Sequence, residues 1–85
     1  MVNVDQLERL LLMMEVEEYK IGLILGRARY VVEGRPNEEL KLGDLHRVFG
    51  RFTFDRYVFE EAWRAGVLDK DSSMLQAWVK SLMGG

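Results

Sequence analysis

Apolar residues recur every three or four positions along the first third of the chain, which is the spacing of one face of an α-helix. The series within residues 4–33 consists of Val4, Leu7, Leu10, Leu11, Met14, Ile21, Leu25, Ala28 and Val32. Asn3 precedes it as a candidate N-cap, and Asp5 and Glu8 lie where the helix dipole favours negative charge. The pattern predicts one long helix, or two nearly collinear helices.

Two glycines, Gly22 and Gly26, interrupt this series. Each costs about 1 kcal/mol relative to alanine inside a helix. Two explanations are open. Either the first helix ends near Lys20 and a second one begins, or the small residues let a neighbouring element approach closely.

A loop follows the helical region at residues 34–37, Gly-Arg-Pro-Asn. Glycine suits a helix C-terminus, and a proline two residues later cannot continue the helix. After the loop, the alternation in Leu40-Lys41-Leu42 predicts a very short strand.

Three further helices are predicted in the second half of the chain. Asp44 is expected to cap a short helix that Gly50 ends. A longer helix begins at Thr53 or Asp55 and ends at Gly66. It carries two apolar stripes: Phe54, Tyr57, Val58, Ala62 and Ala65 on one, Phe59 and Trp63 on the other. A last amphipathic helix, capped by Ser72 or Ser73, carries Met74, Leu75, Trp78, Val79, Leu82 and Met83.

The predicted fold class is therefore all-α, or mainly α with one or two stub strands. Residues 1–85 are expected to form a single compact domain of four or five helices. The composition agrees, because 48% of the residues are apolar and 31% are charged, which is typical of a globular protein.

Composition also excludes several kinds of chemistry. With no cysteine and one histidine, the chain has no disulfide, no thiol nucleophile and little scope for histidine-based metal sites. Adjacent acids such as Glu17 and Glu18 point in different directions on a helix. The Gly22-x-x-x-Gly26 sequence lacks the Lys and Ser/Thr of a phosphate-binding loop. We therefore expect no catalytic residue, no metal and no cofactor, and a protein that is not an enzyme.

Membrane segments and secretion signals are not expected either. The N-terminal residues include Asp5 and Glu8 where a signal peptide would have basic residues. Leu10–Met14, one of the longest apolar runs, is far shorter than the ~20 residues of a membrane helix. The sequence predicts a cytoplasmic protein.

In the second half of the chain, a predicted stub strand and short helix are followed by a turn, a longer helix and a Gly-Leu exit. The strand and short helix lie in Leu40–Gly50, the longer helix is Thr53–Ala65, and the exit is Gly66-Val67-Leu68. This order resembles the helix-turn-helix of the winged-helix superfamily of DNA-binding domains. The resemblance implies that Gly50 is the turn glycine and that the longer helix is the recognition helix in the major groove. The chain departs from the pattern of that superfamily at the wing, which is expected to be reduced or absent because residues 69–71 lead directly into a helix.

The resemblance implies double-stranded DNA as the partner, and a role in transcription regulation. Lysine and arginine contacts to phosphates supply much of the affinity of such proteins. Residues 27–56 carry seven basic and five acidic residues, whereas residues 1–20 carry two and five. The expected DNA-binding residues are Lys41, Arg47, Arg51, Thr53, Arg56, Tyr57 and Arg64. The alternative is that the arginines of the chain belong to a solvated surface with local ion pairs, such as Arg29–Glu33 or Glu60–Arg64.

A second hypothesis is a helical protein-interaction module, an adaptor or inhibitor, that does not bind nucleic acid. Methionines and aromatic residues supply adaptable and anchoring contacts, and exposed aromatics would mark the partner site. Because a short chain buries a limited share of its surface, a homodimer is also expected. Its predicted interface consists of Leu12, Met13, Val16, Leu75, Trp78, Val79 and Leu82.

Overall fold

The structure, a computed structural model, describes residues 1–84. Within these residues the chain forms five α-helices and a two-stranded antiparallel ribbon. The helices are α1 (Val4–Met13), α2 (Glu18–Val31), α3 (Leu45–Phe49), α4 (Thr53–Ala65) and α5 (Ser72–Leu82), and the strands are β1 (Val2–Asn3) and β2 (Glu39–Leu40). Short 3-10 turns occupy Pro36–Glu38 and Leu42–Asp44. The predicted compact, mainly α-helical fold class is confirmed.

The start of the chain is fixed by a capping box and by strand pairing. Asn3 accepts a hydrogen bond from the Gln6 backbone N–H at 3.1 Å, and the Gln6 side chain accepts one from the Asn3 N–H at 2.7 Å. Val2 pairs with Leu40 across the ribbon, and Asn3 pairs with Glu39. The cap predicted at Asn3 is confirmed, and β1 and β2 tie the N-terminus to the segment that precedes α3.

The helical region of residues 4–33 is not one helix, and its two parts are not collinear. α1 and α2 are separate helices that pack against each other. The chain reverses at Glu15, whose φ is 57°. The Glu15 N–H bonds the Leu12 carbonyl at 3.1 Å, and the Val16 N–H bonds the Leu11 carbonyl at 3.2 Å. This is a Schellman motif, and the prediction of a single long or collinear helix is wrong.

Three of the remaining helix ends are set by a glycine or a polar cap. Gly50 (φ 55°) ends α3 and Gly66 (φ 71°) ends α4, as predicted. Asp71, rather than Ser72 or Ser73, caps α5, because its carboxylate accepts from the Met74 N–H at 3.0 Å.

All five helices contribute to one apolar core. Phe49 of α3 and Phe59 of α4 lie at its centre with ring centroids 5.7 Å apart. One prediction about α4 is wrong: Phe54 and Tyr57 are 61% and 52% exposed instead of facing the core with Val58.

The core also takes up two residues that the sequence assigned to a dimer interface. Leu75 and Val79 of α5 are buried, at 0% and 5% exposure, within the chain itself. They are therefore not available to a second copy. From Met1 to Gly84, no helix has both the length and the apolar character needed to cross a bilayer.

Candidate functional site

The arginines of α4, the proposed recognition helix, lie beside carboxylates of the same helix. Arg56 Nε is 3.5 Å from Glu60 Oε1, and Arg64 Nη2 is 3.7 Å from Glu60 Oε2. Arg64 Nη1 also bonds Glu61 Oε1 at 2.9 Å. The predicted Glu60–Arg64 pair is present, and the positive charge that α4 offers to a polyanion is largely offset.

The other predicted DNA-binding residues lie mostly before α4. Lys41, Arg47 and Arg51 are exposed, and within residues 1–84 none of them forms an ion pair. Thr53 is exposed at the first position of α4, and Tyr57 is exposed one turn later. The basic residues thus lie around α3 and the turn after it.

Arg27 of α2 is held against this turn. Its Nη1 donates to the Phe49 carbonyl at 3.5 Å, and its guanidinium lies 5.9 Å from the centroid of the Phe52 ring. The Lys20 Nζ lies 5.4 Å from the same centroid. Phe52 therefore contacts two cations, and Arg27 connects α2 to the C-terminal end of α3.

Gly50 leaves the space that the Arg27 guanidinium occupies. A Cβ at Gly50 would lie 2.8 Å from Arg27 Nη1, and the φ of 55° is unfavourable for residues with a side chain. The predicted turn glycine thus has a second role, because it allows Arg27 to reach the end of α3.

A shallow groove of about 580 Å³ runs along the outer side of α2 beside α3. It is lined by Gly22, Leu23, Gly26, Arg27, Tyr30, Val31 and Arg47. Leu23 is 47% exposed and Tyr30 is 77% exposed, so apolar and aromatic surface faces solvent here. Both charged residues of the lining are arginines.

The two glycines of this groove are unexplained by the fold. Gly22 and Gly26 lie inside α2, where no left-handed backbone is needed. A Cβ at either position would meet no atom of residues 1–84 within 4 Å, apart from its local helix surroundings. The sequence leaves open that Gly22 and Gly26 let a neighbouring element approach α2 closely. No element of residues 1–84 approaches α2 at these two glycines.

A second groove lies where the end of α1 meets α5. Leu12 (59% exposed), Met13 and Met83 (46% exposed) line it, together with the charged Glu15 and Lys80. Leu82, also predicted for the dimer, is 41% exposed, whereas Val16 and Trp78 are partly buried against the core. The apolar patch is smaller than the predicted interface, and dimerisation through it stays a prediction.

Metal-binding side chains do not cluster in the described part of the chain, where no group of three or more His, Asp or Glu residues could hold an ion. No protein family, no curated protein and no solved structure matches this chain. The α2 groove and the exposed basic residues around α3 and the turn after it are therefore the candidate sites of this chain.

Proposed function

We propose that the protein is a helical interaction module that binds an amphipathic helix of a partner protein in the α2 groove. The observation that carries this proposal is the pair Gly22 and Gly26. Each glycine costs about 1 kcal/mol of helix stability relative to alanine, and the described fold gains nothing from either. These two glycines lower the stability of α2 and lie on a surface that is open to solvent. A contact with a partner outside the chain best explains them.

The shape of the groove favours a helix as the occupant. Gly22 and Gly26 lie one turn apart on one face of α2, and small residues at this spacing let a second helix backbone approach closely. Leu23 and Tyr30 flank this face and offer apolar contact area. Tyrosine is a frequent anchor in protein interfaces because it buries a large ring at low entropic cost.

A display library of amphipathic helices tests the proposal. The apolar face of every member is fixed as Leu and Ala, and the polar positions are randomised. The library is selected on the wild-type protein and, in parallel, on the Gly26→Leu variant. Because a side chain at position 26 meets open space, the variant is expected to fold, while the leucine fills the groove without making it polar.

We expect helices to be recovered on the wild type and depleted on Gly26→Leu. Equal recovery on both proteins, or no recovery on either, would contradict the proposal. Circular dichroism and the thermal midpoint of the variant check that its fold is intact.

Duplex DNA is the second candidate, and one observation favours it. Lys41, Arg47 and Arg51 are exposed, unpaired within the described residues and close to the α3–turn–α4 segment that resembles a helix-turn-helix. The net charge of -2 and the paired arginines of α4 favour the first proposal instead. If DNA is the partner, duplex affinity falls steeply with salt, and Arg51→Ala and Arg56→Ala weaken it without unfolding the protein. Salt-dependent anisotropy titration of a labelled duplex separates the two candidates.

A further inference from the structure

The α2 groove combines apolar surface with charge of one sign. Among its lining residues, Arg27 and Arg47 carry charge and no carboxylate is present. We infer that the helix bound in this groove is acidic, with carboxylates along one edge of its apolar face that pair with Arg27 and Arg47. This inference rests on the proposed function and names the chemistry of the partner.

Arg27 is positioned to pair with a carboxylate before any partner arrives. Its contact with the Phe49 carbonyl and its place over the Phe52 ring restrict the side chain. A guanidinium has five N–H donors, and in residues 1–84 the Phe49 carbonyl is its one hydrogen-bond acceptor. Donors therefore remain for a carboxylate, and a side chain that is already held loses less entropy on binding.

Arg47 supplies a second positive charge from α3. Its side chain is exposed and forms neither a hydrogen bond nor an ion pair within residues 1–84, although its charge helps to lower the pKa of Asp44. With Arg27 it gives the apolar groove a basic edge. Electrostatic complementarity across an interface mainly sets which partner binds, so an acidic edge is expected on the partner helix.

Two other occupants fit this groove less well. In a two-fold dimer, the same patch of both copies would meet, so four arginines would share one interface whose lining holds no carboxylate. Like charges across an interface are unfavourable. A DNA duplex would pair with the arginines but would make little use of the exposed Leu23 and Tyr30.

A pair of matched peptides tests the inference. Both are amphipathic helices about as long as α2 with the same Leu/Ala face, and their polar positions are Glu in one and Gln in the other. Fluorescence anisotropy at low ionic strength gives their affinities for three proteins: the wild type, Arg47→Gln, and the double variant Arg27→Gln/Arg47→Gln. The double variant Arg9→Gln/Lys70→Gln is the control, because it changes the net charge equally at exposed residues that line neither groove.

We expect the wild type to bind the Glu peptide about five- to tenfold more tightly than the Gln peptide, the effect of two partly exposed ion pairs. The preference should fall in Arg47→Gln, vanish in the groove double variant and persist in the control. Because the Arg47 side chain is exposed and forms no hydrogen bond within residues 1–84, its single variant is expected to fold and remains informative if Arg27→Gln disturbs the end of α3.

The results of the peptide titrations distinguish a failure of the inference from a failure of the proposed function. If both peptides bind the wild type equally, or if the acidic preference survives in the groove double variant, the inference is wrong while helix binding stands. If neither peptide binds, the proposed function fails, and the inference fails with it. A preference equally weakened by Arg9→Gln/Lys70→Gln would reflect net charge and would also overturn the inference.

Discussion

Asp44 illustrates how a residue predicted as a helix cap can take a different role. Its carboxylate does not cap α3 but accepts hydrogen bonds from the Lys41 N–H at 2.9 Å and from Arg35 at 2.7 and 3.3 Å. The hydrogen bond from Arg35 lowers the pKa of Asp44, and the Lys41 N–H acts in the same direction. The pair ties the loop after α2 to the start of α3. Sequence reasoning missed it because Arg35 lies in a loop whose path no local pattern predicts.

The Arg35–Asp44 pair predicts a pH-dependent stability. Asp44→Asn should lower the free energy of unfolding at neutral pH, because it removes the charge of the carboxylate that accepts two hydrogen bonds from Arg35. The folded pKa of Asp44 lies below the unfolded value of about 4, so the stabilisation is complete above that pH and is lost as the pH falls through the folded pKa.

Urea unfolding at neutral pH and in acid measures this effect. The difference between wild type and Asp44→Asn should shrink in acid. Glu38→Gln, at an exposed residue, is the control and should show little difference at either pH. A gap between wild type and Asp44→Asn that is the same at both pH values would contradict the role of the ion pair.

Phe49 and Phe54 differ in burial and therefore in their expected contribution to stability. Phe49 is fully buried against Phe59, whereas Phe54 is 61% exposed. Phe49→Ala should therefore cost about 3–5 kcal/mol of unfolding free energy. Phe54→Ala should change it by less than about 0.5 kcal/mol. Denaturant titration of both variants checks this, and equal losses would mean that the α4 face is wrongly assigned.

At the scale of elements, the helix boundaries that the sequence predicted correctly are those marked by special residues. Gly50 and Gly66 end α3 and α4 with positive φ angles, and Asn3 caps α1. The end of α1 was missed because Glu15, rather than glycine, occupies the left-handed position of its Schellman motif. Gly22 and Gly26 pointed to a break that does not exist.

The faces of the helices were harder to predict than their ends. α4 has apolar or aromatic residues on most of its surface, so periodicity alone could not show that Phe59 is buried and Tyr57 is exposed. The α2 groove has one signal in the sequence, the two glycines, whose small size allows a neighbouring element to approach closely. Arg27 gave no signal, because its contacts with Phe49 and Phe52 depend on how α2 packs against α3.

Glu15 predicts a stabilising substitution. A left-handed residue with a side chain costs about 1 kcal/mol or more relative to glycine, so Glu15→Gly should raise the unfolding free energy by about 1 kcal/mol. The matched control Glu8→Gly, inside α1, should lower it by about the same amount. Thermal and urea unfolding of both variants measure the effect, and destabilisation by Glu15→Gly would contradict the described end of α1.

Replacing Gly22 or Gly26 by alanine is expected to raise the stability of the fold and to weaken binding of the partner helix. Gly22→Ala and Gly26→Ala should each raise the unfolding free energy by about 0.5–1 kcal/mol, because the added methyl group meets open space and alanine favours the helix. Each should also weaken binding of an amphipathic helix. Urea unfolding and peptide titration on the same variants test both effects. A loss of stability would show that the glycines serve the fold, and unchanged binding would argue against the groove.

At the scale of the whole molecule, the distribution of charge separates the candidate functions. The helix expected to contact DNA neutralises its own arginines with Glu60 and Glu61, whereas Arg27 and Arg47 border an apolar groove that has no carboxylate in its lining. The sequence gives the total charge and its rough position along the chain. It does not show which arginines meet carboxylates, because that depends on helix faces and on packing between helices.

The most direct test of the α2 groove is an amide chemical-shift titration of the isotope-labelled protein with the Glu-bearing amphipathic peptide. We expect the largest amide chemical-shift changes at Gly22, Leu23, Gly26 and Tyr30 of α2, and at Arg47 across the groove. Shifts confined to residues 53–64 of α4, or no shifts at a peptide concentration that saturates the anisotropy signal, would contradict it.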